Sequence, residues 1–435
     1  MKMNNVMRFV TILTLMVAIV LTVVHNQKMK DISWMADDTL ASEKWVEVGE
    51  SFDSGLDALH DTYTFNGVRF SASTDPHIMT DHRHTHVGWR HGMTDLTAEL
   101  TLNGVEVARV FLGWHIVYET FDPEDTSWIP LHSSDFMDAL NALPEGKFYL
   151  AEDIDLSSMR EQIPTFSGVI TNPYGYVIRN VRTVPGSTDQ GIFRILQGAQ
   201  IDGLRIENVT IDVEEDGLLS YLVGTLASTA FSSVITNTHV QGDIQTYYAT
   251  AGGLVGASYG SVYRAVSFTG TLSGRNSIGG LLGFHQGFED KRIQDPGDIW
   301  TSLVVERPVD VIRYAFVDAD LLGGSYANVG GLIGVFNGRA DLSYGYITGM
   351  MDRGETLNGV SYVTRNRWRT SEISVYEHIW LDASLRIPGV TGTDEDLVTF
   401  VDPDILMGTD IPEGLAFLET DSAGALDIPY WRPET

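Results

Sequence analysis

The 435-residue chain contains no cysteine. Disulfide bonds, thiolate catalysis and cysteine-ligated metal sites are therefore excluded, and the folded state must be stabilised by packing alone. The sequence also lacks H-E-x-x-H, the motif that supplies two zinc ligands and a general base to many zinc peptidases. We therefore expect no enzymatic activity of that type.

Positive charge is scarce as well. The chain has 28 Lys and Arg residues against 58 Asp and Glu residues, which gives a formal net charge of −30. A surface this acidic repels nucleic acid and anionic lipid headgroups, so nucleic acid is excluded as a partner. The hydrophobic fraction of 43% and the aromatic fraction of 10% are those of a folded protein rather than a disordered one.

What the chain does have is a glycine-rich repeat. The pentapeptide G-G-L-V-G at residues 252–256 returns as G-G-L-L-G at 279–283 and as G-G-L-I-G at 330–334. The first interval is 279 − 252 = 27 residues, a period typical of solenoids, in which each repeat buries its apolar face only by stacking on its neighbours. The repeat-defining residues are Gly253, Leu254, Gly256, Gly280, Leu281, Gly283, Gly331, Leu332 and Gly334.

Alternating apolar and polar residues between these glycines indicate short β-strands. We therefore expect an all-β protein whose main part, residues 131–350, is a parallel β-helix, with glycines at the corners adopting positive φ and avoiding clashes with the next coil. The second interval is 330 − 279 = 51 residues, which leaves 24 beyond one period of 27. This surplus predicts a loop over residues 288–308 that leaves the repeat.

Residues 1–30 have the pattern of an export segment. Lys2 and Arg8 precede an apolar stretch at 9–24, which is shorter than the roughly 20 residues of a spanning helix and longer than a signal-peptide core of about 7–15. No A-x-A-like cleavage site follows, which favours an N-terminal membrane anchor helix over a cleaved signal peptide. Either alternative places the rest of the chain outside the cytoplasm, at the cell surface or secreted.

Residues 31–130 lack the repeat and predict a small β domain. Alternating residues at 96–102 and 105–110 flank Asn103 and Gly104, a pair typical of a hairpin turn. If residues 81–87 form one strand, His82, His84 and His86 share a face and are candidate ligands for Zn²⁺. The alternative is that these histidines are only solvated or hydrogen-bonded.

Two further segments flank the repeats. Residues 134–143 have the apolar spacing of a short amphipathic helix with Ser134 as N-cap, suited to covering one end of a β-helix. Residues 351–435 lose the period and are expected to form a C-terminal cap. Within them the acidic sequence at 390–396 offers clustered oxygens for Ca²⁺ or, alternatively, a solvated turn. No resident cofactor is expected.

The order of motifs resembles bacterial surface proteins with GLUG repeats, including the non-catalytic N-terminal region of Gram-positive IgA1-type zinc metallopeptidases. The resemblance covers residues 131–350. The motifs that carry it are D-I-D-L at 153–156, F-S-G at 166–168, G-I-F at 191–193 and the G-L-x-G repeats. The sequence departs from the pattern at Arg194, where a final glycine is expected, and in a first repeat that reads Y-L-V-G at 221–224. The peptidase motif is absent, so the resemblance implies a surface protein without that activity.

Three functions follow from these features. The first is a non-catalytic, adhesin-like or scaffolding surface protein that binds a host or matrix glycan or protein. The second is a polysaccharide lyase or hydrolase that uses carboxylates such as Asp243, Asp318, Asp320 and Asp341. The third is metal capture by the histidines. The acidic, repeat-built chain without a recognisable catalytic set favours the first.

Overall fold

The computed structural model describes residues 43–53, 68–73, 79–82, 85–102, 105–213, 221–286, 310–324, 327–337, 340–352, 360–361, 364–366, 375–382, 398–401, 419–420 and 426–427. These residues divide into two compact units. Unit 1 contains the described residues before 118 except 91–93, and unit 2 contains the others. The predicted export segment, residues 1–30, and the acidic sequence at 390–396 lie outside the described residues.

Unit 1 is built from antiparallel strands and contains two sheets. Its strands are β1 (Glu43–Glu47), β2 (Ser51–Asp53), β3 (Val68–Ser73), β4 (Met79–His82), β5 (Thr85–Gly88), β6 (Gly92–Leu102) and β7 (Val105–Tyr118). The sheet orders are β1-β7-β6-β3 and β2-β5-β4. Strands β6 and β7 are neighbours, as the alternating pattern predicts, and the turn residues 103–104 between them lie outside the described part.

Unit 2 opens with short elements before the glycine repeats. They are β8 (Trp128–Leu131), helix α1 (Phe136–Ala142), β9 (Lys147–Leu150), β10 (Ile154–Asp155), β11 (Val169–Thr171), β12 (Val177–Arg179), β13 (Phe193–Gln197), β14 (Gln200–Asp202) and β15 (Arg205–Val213). Phe136 and Leu140 of α1 are buried in the same apolar core as the strands. The helix begins after Asp135, one residue later than predicted, because Asp135 accepts a hydrogen bond from the His132 amide and turns the chain there.

The repeat region follows a fixed cycle of a three-residue strand, a five-residue strand and a long strand. Its strands are β16 (Leu222–Gly224), β17 (Ala227–Phe231), β18 (Val234–Thr246), β19 (Thr250–Gly252), β20 (Val255–Tyr259), β21 (Val262–Gly274), β22 (Ser277–Gly279), β23 (Leu282–Gln286), β24 (Asp310–Gly323), β25 (Asn328–Gly330), β26 (Ile333–Asn337) and β27 (Ala340–Asp352). The remaining strands are β28 (Val360–Ser361), β29 (Thr364–Asn366), β30 (Val375–Asp382), β31 (Val398–Val401), β32 (Glu419–Thr420) and β33 (Leu426–Asp427).

Each kind of strand pairs with its counterpart in the next repeat. Sheet 1 has the order β31-β30-β27-β24-β21-β18-β14-β11-β9-β8, with β10-β12-β15 joined to it through β18. Sheet 2 has the order β13-β17-β20-β23-β26-β29, and sheet 3 has the order β16-β19-β22-β25-β28. Pairing within these three sheets is parallel, for example between β21 and β24 and between β22 and β25. The expectation of an all-β protein is confirmed, with parallel sheets as its main feature.

Register locates the surplus residues of the longer repeat. Gly279 pairs with Gly330, so β22 and β25 are direct neighbours although 330 − 279 = 51 residues separate them. Strand β23 ends at Gln286 and β24 begins at Asp310. The extra length therefore enters between β23 and β24, where the sequence predicts it, and residues 287–309 lie outside the described part.

The repeated leucines line the core. Leu254, Leu281 and Leu332 have no exposed surface. The Leu254 amide donates to the Leu281 carbonyl oxygen and the Leu281 amide to the Leu332 carbonyl oxygen, both at 3.0 Å. Backbone bonds thus continue through the corner between sheets 3 and 2, where a turn would otherwise leave polar groups buried and unpaired.

The first repeat aligns with the later ones differently from what its sequence Y-L-V-G at 221–224 suggests. Gly224 pairs with Gly252, and the Leu226 amide donates to the Leu254 carbonyl oxygen. Leu226 is therefore the counterpart of Leu254, and the assignment of Leu222 to this position was wrong. Leu222 pairs instead with Thr250.

The repeat glycines are required because a Cβ atom would collide with neighbouring atoms, and not because the backbone has positive φ there. A Cβ at Gly253 would collide with the Phe268 ring and the Gly280 carbonyl oxygen, and one at Gly256 would lie 2.6 Å from the Ser228 carbonyl oxygen. Positive φ occurs instead at other positions of sheet 1, among them Asn180, Asn208, Asn237, Ala265, Gly270, Tyr314, Tyr344 and Gly349. The expectation of clashes was right, and that of positive φ at these repeat glycines was wrong.

The unit boundaries also differ from the predicted domains of residues 31–130, 131–350 and 351–435. Unit 2 begins at Tyr118, because β8 pairs in parallel with β9 and belongs to sheet 1. Strands β28, β29 and β30 pair with β25, β26 and β27, so the three sheets continue beyond residue 350. Among the described residues, no helix has the length and apolarity needed to cross a membrane.

We expect Gly253→Ala to lower the free energy of unfolding by about 1–3 kcal/mol or more, because backbone and a core ring block the added methyl group. The control is Gly345→Ala, because the atoms nearest its added Cβ belong to side chains and not to the backbone, with Ile379 Cδ1 at 3.1 Å and Leu332 Cδ1 at 3.5 Å. Urea denaturation midpoints measure the difference. Equal midpoints for the two variants would contradict the packing role of Gly253.

Candidate ligand-binding surface

Five aromatic side chains gather on the outer side of the first strands of sheet 1. We define the aromatic cluster as Phe121, Trp128, Tyr149, Tyr174 and Tyr176. The Phe121 ring centre lies 5.3 Å from that of Trp128, 5.0 Å from that of Tyr149 and 6.0 Å from that of Tyr174. Tyr174 is 57% exposed and Trp128 is buried, so the cluster has a packed base and a solvent-facing side.

An acidic turn sets the position of Trp128. The carboxylate of Asp125 accepts bonds from the Ser127 amide at 2.9 Å and the Ser127 hydroxyl at 2.7 Å, and the Trp128 amide donates to the Asp125 carbonyl oxygen at 3.2 Å. These hydrogen bonds lower the pKa of Asp125 below its usual value, and the bond from the Ser127 amide has a larger effect than that from its hydroxyl. The turn is therefore held by an ionised carboxylate.

The segment that carries Phe121 is tied to sheet 1 by side chains. The amide of Glu119 donates to Gln200 Oε1 at 2.7 Å, and Gln200 Nε2 donates to the Glu119 carbonyl oxygen at 2.8 Å. The carboxylate of Glu119 also pairs with Lys147 Nζ at 2.8 Å. A strand-like pair of bonds thus fixes a segment that is not itself a strand.

A second turn presents Tyr174. The sequence N-P-Y-G-Y at 172–176 reverses the chain after β11, and Gly175 takes a φ of 73° that favours glycine. Asn172 Oδ1 accepts from the Tyr176 amide at 2.9 Å, and its Nδ2 donates to the carbonyl oxygens of Tyr176 at 2.7 Å and Gly203 at 2.9 Å. Because the Asn172 side chain joins the turn to the next repeat, Tyr174 is exposed yet held in position.

A column of polar residues continues from the aromatic cluster across sheet 1. Strand register places Tyr149, Thr171, Asp202, Thr236, Arg264 and Arg313 in sequence on successive strands. Asp202 Oδ1 accepts from Thr236 Oγ1 and Asn237 Nδ2, both at 2.7 Å. The carboxylate is half-buried and its orientation is fixed by these bonds. We call these six residues the polar column.

A separate polar group lies inside unit 2. His285 Nδ1 contacts Asp310 Oδ2, Asp310 Oδ1 accepts from the Ser258 hydroxyl at 2.9 Å and from the Ser261 amide, and the Tyr263 hydroxyl donates to Ser258 at 2.7 Å. Burial and the charge of Asp310 raise the pKa of Tyr263 well above its usual value. Since His285, Ser258 and Asp310 have no exposed surface, this group cannot meet a substrate and is structural.

The predicted repeat residues lie together in the core rather than at a surface. Gly253, Leu254 and Gly256 stack on Gly280, Leu281 and Gly283, and these on Gly331, Leu332 and Gly334. All nine are buried. They hold the repeats together and offer nothing to a ligand.

Two of the candidate histidine ligands, His82 and His86, lie on different strands. His82 ends β4 and His86 lies in β5, which pairs with β4 in the antiparallel direction. His86 pairs with Asp81 and His82 pairs with Thr85. The single-strand spacing that placed the three histidines on one face therefore does not apply. His84 lies outside the described residues, and within the described part no set of three metal-binding side chains is grouped.

The candidate carboxylates for catalysis lie on three strands of sheet 1, β18, β24 and β27. Asp243, Asp318 and Asp320 are exposed on the long strands of sheet 1. Asp243 and Asp320 share a register column in which Thr271 stands between them, and Asp341 lies on β27 opposite Val311. The described carboxylates therefore lack the enclosed groove in which a glycosidase holds its acid and its base or nucleophile.

The aromatic cluster was missed by the sequence analysis. Its members come from two turns and two strands between residues 121 and 176, and no periodic pattern connects them. The available signal was the placement of aromatic residues beside turn formers, in F-D-P-E-D-T-S-W at 121–128 and N-P-Y-G-Y at 172–176. Aromatic residues next to such turns are exposed more readily than those in alternating strands.

Comparison with known proteins adds little. No family profile matches the chain, and no curated protein matches it. A solved structure titled "IgA1 Protease" is similar to it with a TM-score of 0.37 and 12% identity, over 79% of this chain and 28% of that one. A likeness this weak supports no inference about fold, family or activity.

We expect Asp125→Asn to lower the denaturation midpoint at pH 6 and to have a smaller effect at pH 3. A carboxylate whose pKa is lowered by folding stabilises the native state above its unfolded pKa of about 4, and this contribution is lost as the pH falls through the lowered folded value. Urea denaturation at both pH values measures it. A gap between wild type and variant that does not narrow at pH 3 would contradict this role.

We expect Asp310→Ala to destabilise unit 2 by about 3–5 kcal/mol, because it leaves a buried histidine and buried donors without their acceptor. Denaturant unfolding measures the loss. Exposed Asp243→Ala is the matched control, and its unfolding midpoint should equal that of wild type. A similar, small effect of both substitutions would show that the buried group is not structural.

Proposed function

We propose that this chain is a non-catalytic protein of the bacterial cell surface, built on a parallel β-helix, that binds a glycan or protein ligand through the aromatic cluster. The cycle in which every repeat adds one parallel strand to each of three sheets supports the β-helix. Acidic composition and the absence of cysteine suit an exported chain stabilised by packing. Residues 9–24 would anchor it to the cytoplasmic membrane.

The observation that carries the proposal is the exposed side of the aromatic cluster. Single exposed aromatic side chains are common, whereas aromatic side chains gathered into one exposed patch mark a ligand or partner site. Here Tyr174 is 57% exposed and is supported by Phe121 at 6.0 Å and Tyr149 at 6.2 Å. Two hydrogen-bonded turns hold this arrangement, so little conformational entropy is lost when a ligand binds.

Neither alternative function gains comparable support. A polysaccharide lyase or hydrolase needs two carboxylates enclosed near one bond, whereas Asp243, Asp318 and Asp320 are exposed. Metal capture by His82, His84 and His86 loses the single-strand geometry on which it depended. Titration of the chain with Zn²⁺ by calorimetry tests it independently.

We expect the chain to bind a defined subset of a glycan and matrix-protein array, and Tyr174→Ala to reduce that binding at least tenfold, through loss of the stacking contact. The control is Tyr248→Ala, which removes a tyrosine that is also exposed, at 48%, but lies outside the aromatic cluster. Equal binding by wild type and both variants would contradict the proposed site. Circular dichroism confirms that the variants are folded.

A further inference from the structure

We infer that the ligand of this site is a basic protein partner that places an arginine side chain against the exposed rings of the aromatic cluster. The inference rests on the proposed function, since it names the kind of ligand for the same surface. It depends on three observations. Ring surface and hydroxyl groups are open to a ligand, carboxylates without a cationic partner lie beside them, and this chain itself packs arginine on tyrosine.

The solvent-facing side of the aromatic cluster is accessible to a partner. Tyr174 is 57% exposed, and Phe121, Tyr149 and Tyr176 are half-buried. Among the described residues, none forms a hydrogen bond with the hydroxyl group of Tyr149, Tyr174 or Tyr176. The same surface therefore offers aromatic rings for stacking and hydroxyl oxygens for hydrogen bonds.

The turn between Phe121 and Trp128 adds negative charge beside these rings. It carries Asp122, Glu124 and Asp125 and contains no lysine or arginine. Because the rings of Phe121 and Trp128 are in contact, with 5.3 Å between their centres, the turn is closed at the aromatic cluster. Glu124 follows Phe121 by 124 − 121 = 3 residues, a backbone distance of at most about 11 Å. The carboxylates are therefore held close to the exposed rings.

Two of these carboxylates have no cation beside them. Glu124 is exposed, and within the described part of the chain its carboxylate forms neither a hydrogen bond nor an ion pair. One oxygen of Asp122 accepts a bond from the Glu124 amide at 2.9 Å, and the other oxygen remains available. Lys147, whose ammonium group lies 5.9 Å from the centre of the Trp128 ring, is already paired with Glu119 at 2.8 Å. The turn would therefore attract a cation from a partner and repel an anion.

The combination of aromatic rings and unpaired carboxylates favours arginine among the cations. A guanidinium group is planar, stacks on aromatic rings and donates N–H groups in a fixed fork that matches a carboxylate. Lysine is a compact and strongly hydrated charge without that fork, and a quaternary ammonium has no N–H to donate to Glu124. Arginine and tyrosine are also enriched among the residues that contribute most to protein–protein binding. The surface therefore suits an arginine that a protein presents.

The chain itself shows how arginine packs on tyrosine. The guanidinium carbon of Arg275 lies 4.1 Å from the centre of the Tyr247 ring, and that of Arg264 lies 4.8 Å from the centre of the Tyr314 ring. Arg275 Nη1 also donates to the Tyr247 hydroxyl oxygen. In contrast, no cation from the described residues lies over the ring of Tyr174. An arginine of the partner would supply there the contact that the other two tyrosines already have.

The test uses the full chain and three synthetic peptides, in which glycine alternates with arginine, lysine or glutamate. Calorimetry measures their affinities at physiological ionic strength, which screens long-range attraction to the acidic chain. We expect the arginine peptide to bind at least tenfold more tightly than the lysine peptide of equal charge, and the glutamate peptide not to bind. Tyr174→Ala should weaken binding of the arginine peptide at least tenfold and abolish the preference for arginine over lysine.

A second variant tests the contribution of the turn. Glu124→Gln should weaken binding of the arginine peptide at least threefold, because it removes the unpaired carboxylate beside the rings. Asp243→Asn removes the same charge from an exposed position on β18, so it controls for net charge and should leave the affinity unchanged. Circular dichroism and denaturation midpoints establish that the folded state of each variant is preserved.

The outcomes separate this inference from the proposed function. Equal binding of the arginine and lysine peptides, or arginine binding that does not depend on Tyr174 and Glu124, would overturn the inference. Tyr174-dependent binding of a glycan or of a matrix protein from the array, without binding of the arginine peptide, would overturn the arginine and retain the binding surface. If no array ligand and no peptide binds in a Tyr174-dependent manner, both the inference and the proposed function fail.

Discussion

The contact between successive repeats at the glycine–leucine corners is the constraint on which the structure of unit 2 depends. There the amide of one leucine donates to the carbonyl oxygen of the next at 3.0 Å, while the adjacent glycine leaves no room for a Cβ. Backbone bonds through a corner keep strands parallel and in register on both sides of it. A larger residue at the corner would separate the repeats and so weaken all three sheets at once.

Parallel stacking in register also determines what the surface can present. Residues at equivalent positions of successive repeats form columns about 4.8 Å apart, whether they face the core or the solvent. Inward columns are filled mainly by large apolar side chains, as at Ile201, Ile235 and Ile312, with the buried Tyr263 between the last two. Other columns carry polar residues, and one of them in sheet 1 runs from Tyr149 to Asp202 and Thr236.

The sequence predicted the repeating part of the fold well. Glycine recurs at the same position of each repeat because a side chain there would collide with the neighbouring backbone. The sequence located the extra length between β23 and β24 for the same reason. The sequence alignment of the first repeat was wrong, because it compared residue types alone. Strand pairing shows that Leu226, and not Leu222, is equivalent to the repeat leucines. The sequence analysis also missed the buried His285–Asp310 contact and the aromatic cluster, since both depend on residues that only the fold brings together.

Register between repeats can be measured directly because the chain has no cysteine of its own. Thr271 and Asp320 are register partners on β21 and β24, although 320 − 271 = 49 residues separate them. Partners on adjacent strands lie within the distance that a disulfide can bridge, whereas residues two strands apart do not. The account predicts that Thr271→Cys with Asp320→Cys forms an intramolecular disulfide on mild oxidation, detected by mass spectrometry, and that Asp243→Cys with Asp320→Cys does not. A first pair that stays reduced, or equal cross-linking of both pairs, would contradict the parallel stacking of repeats.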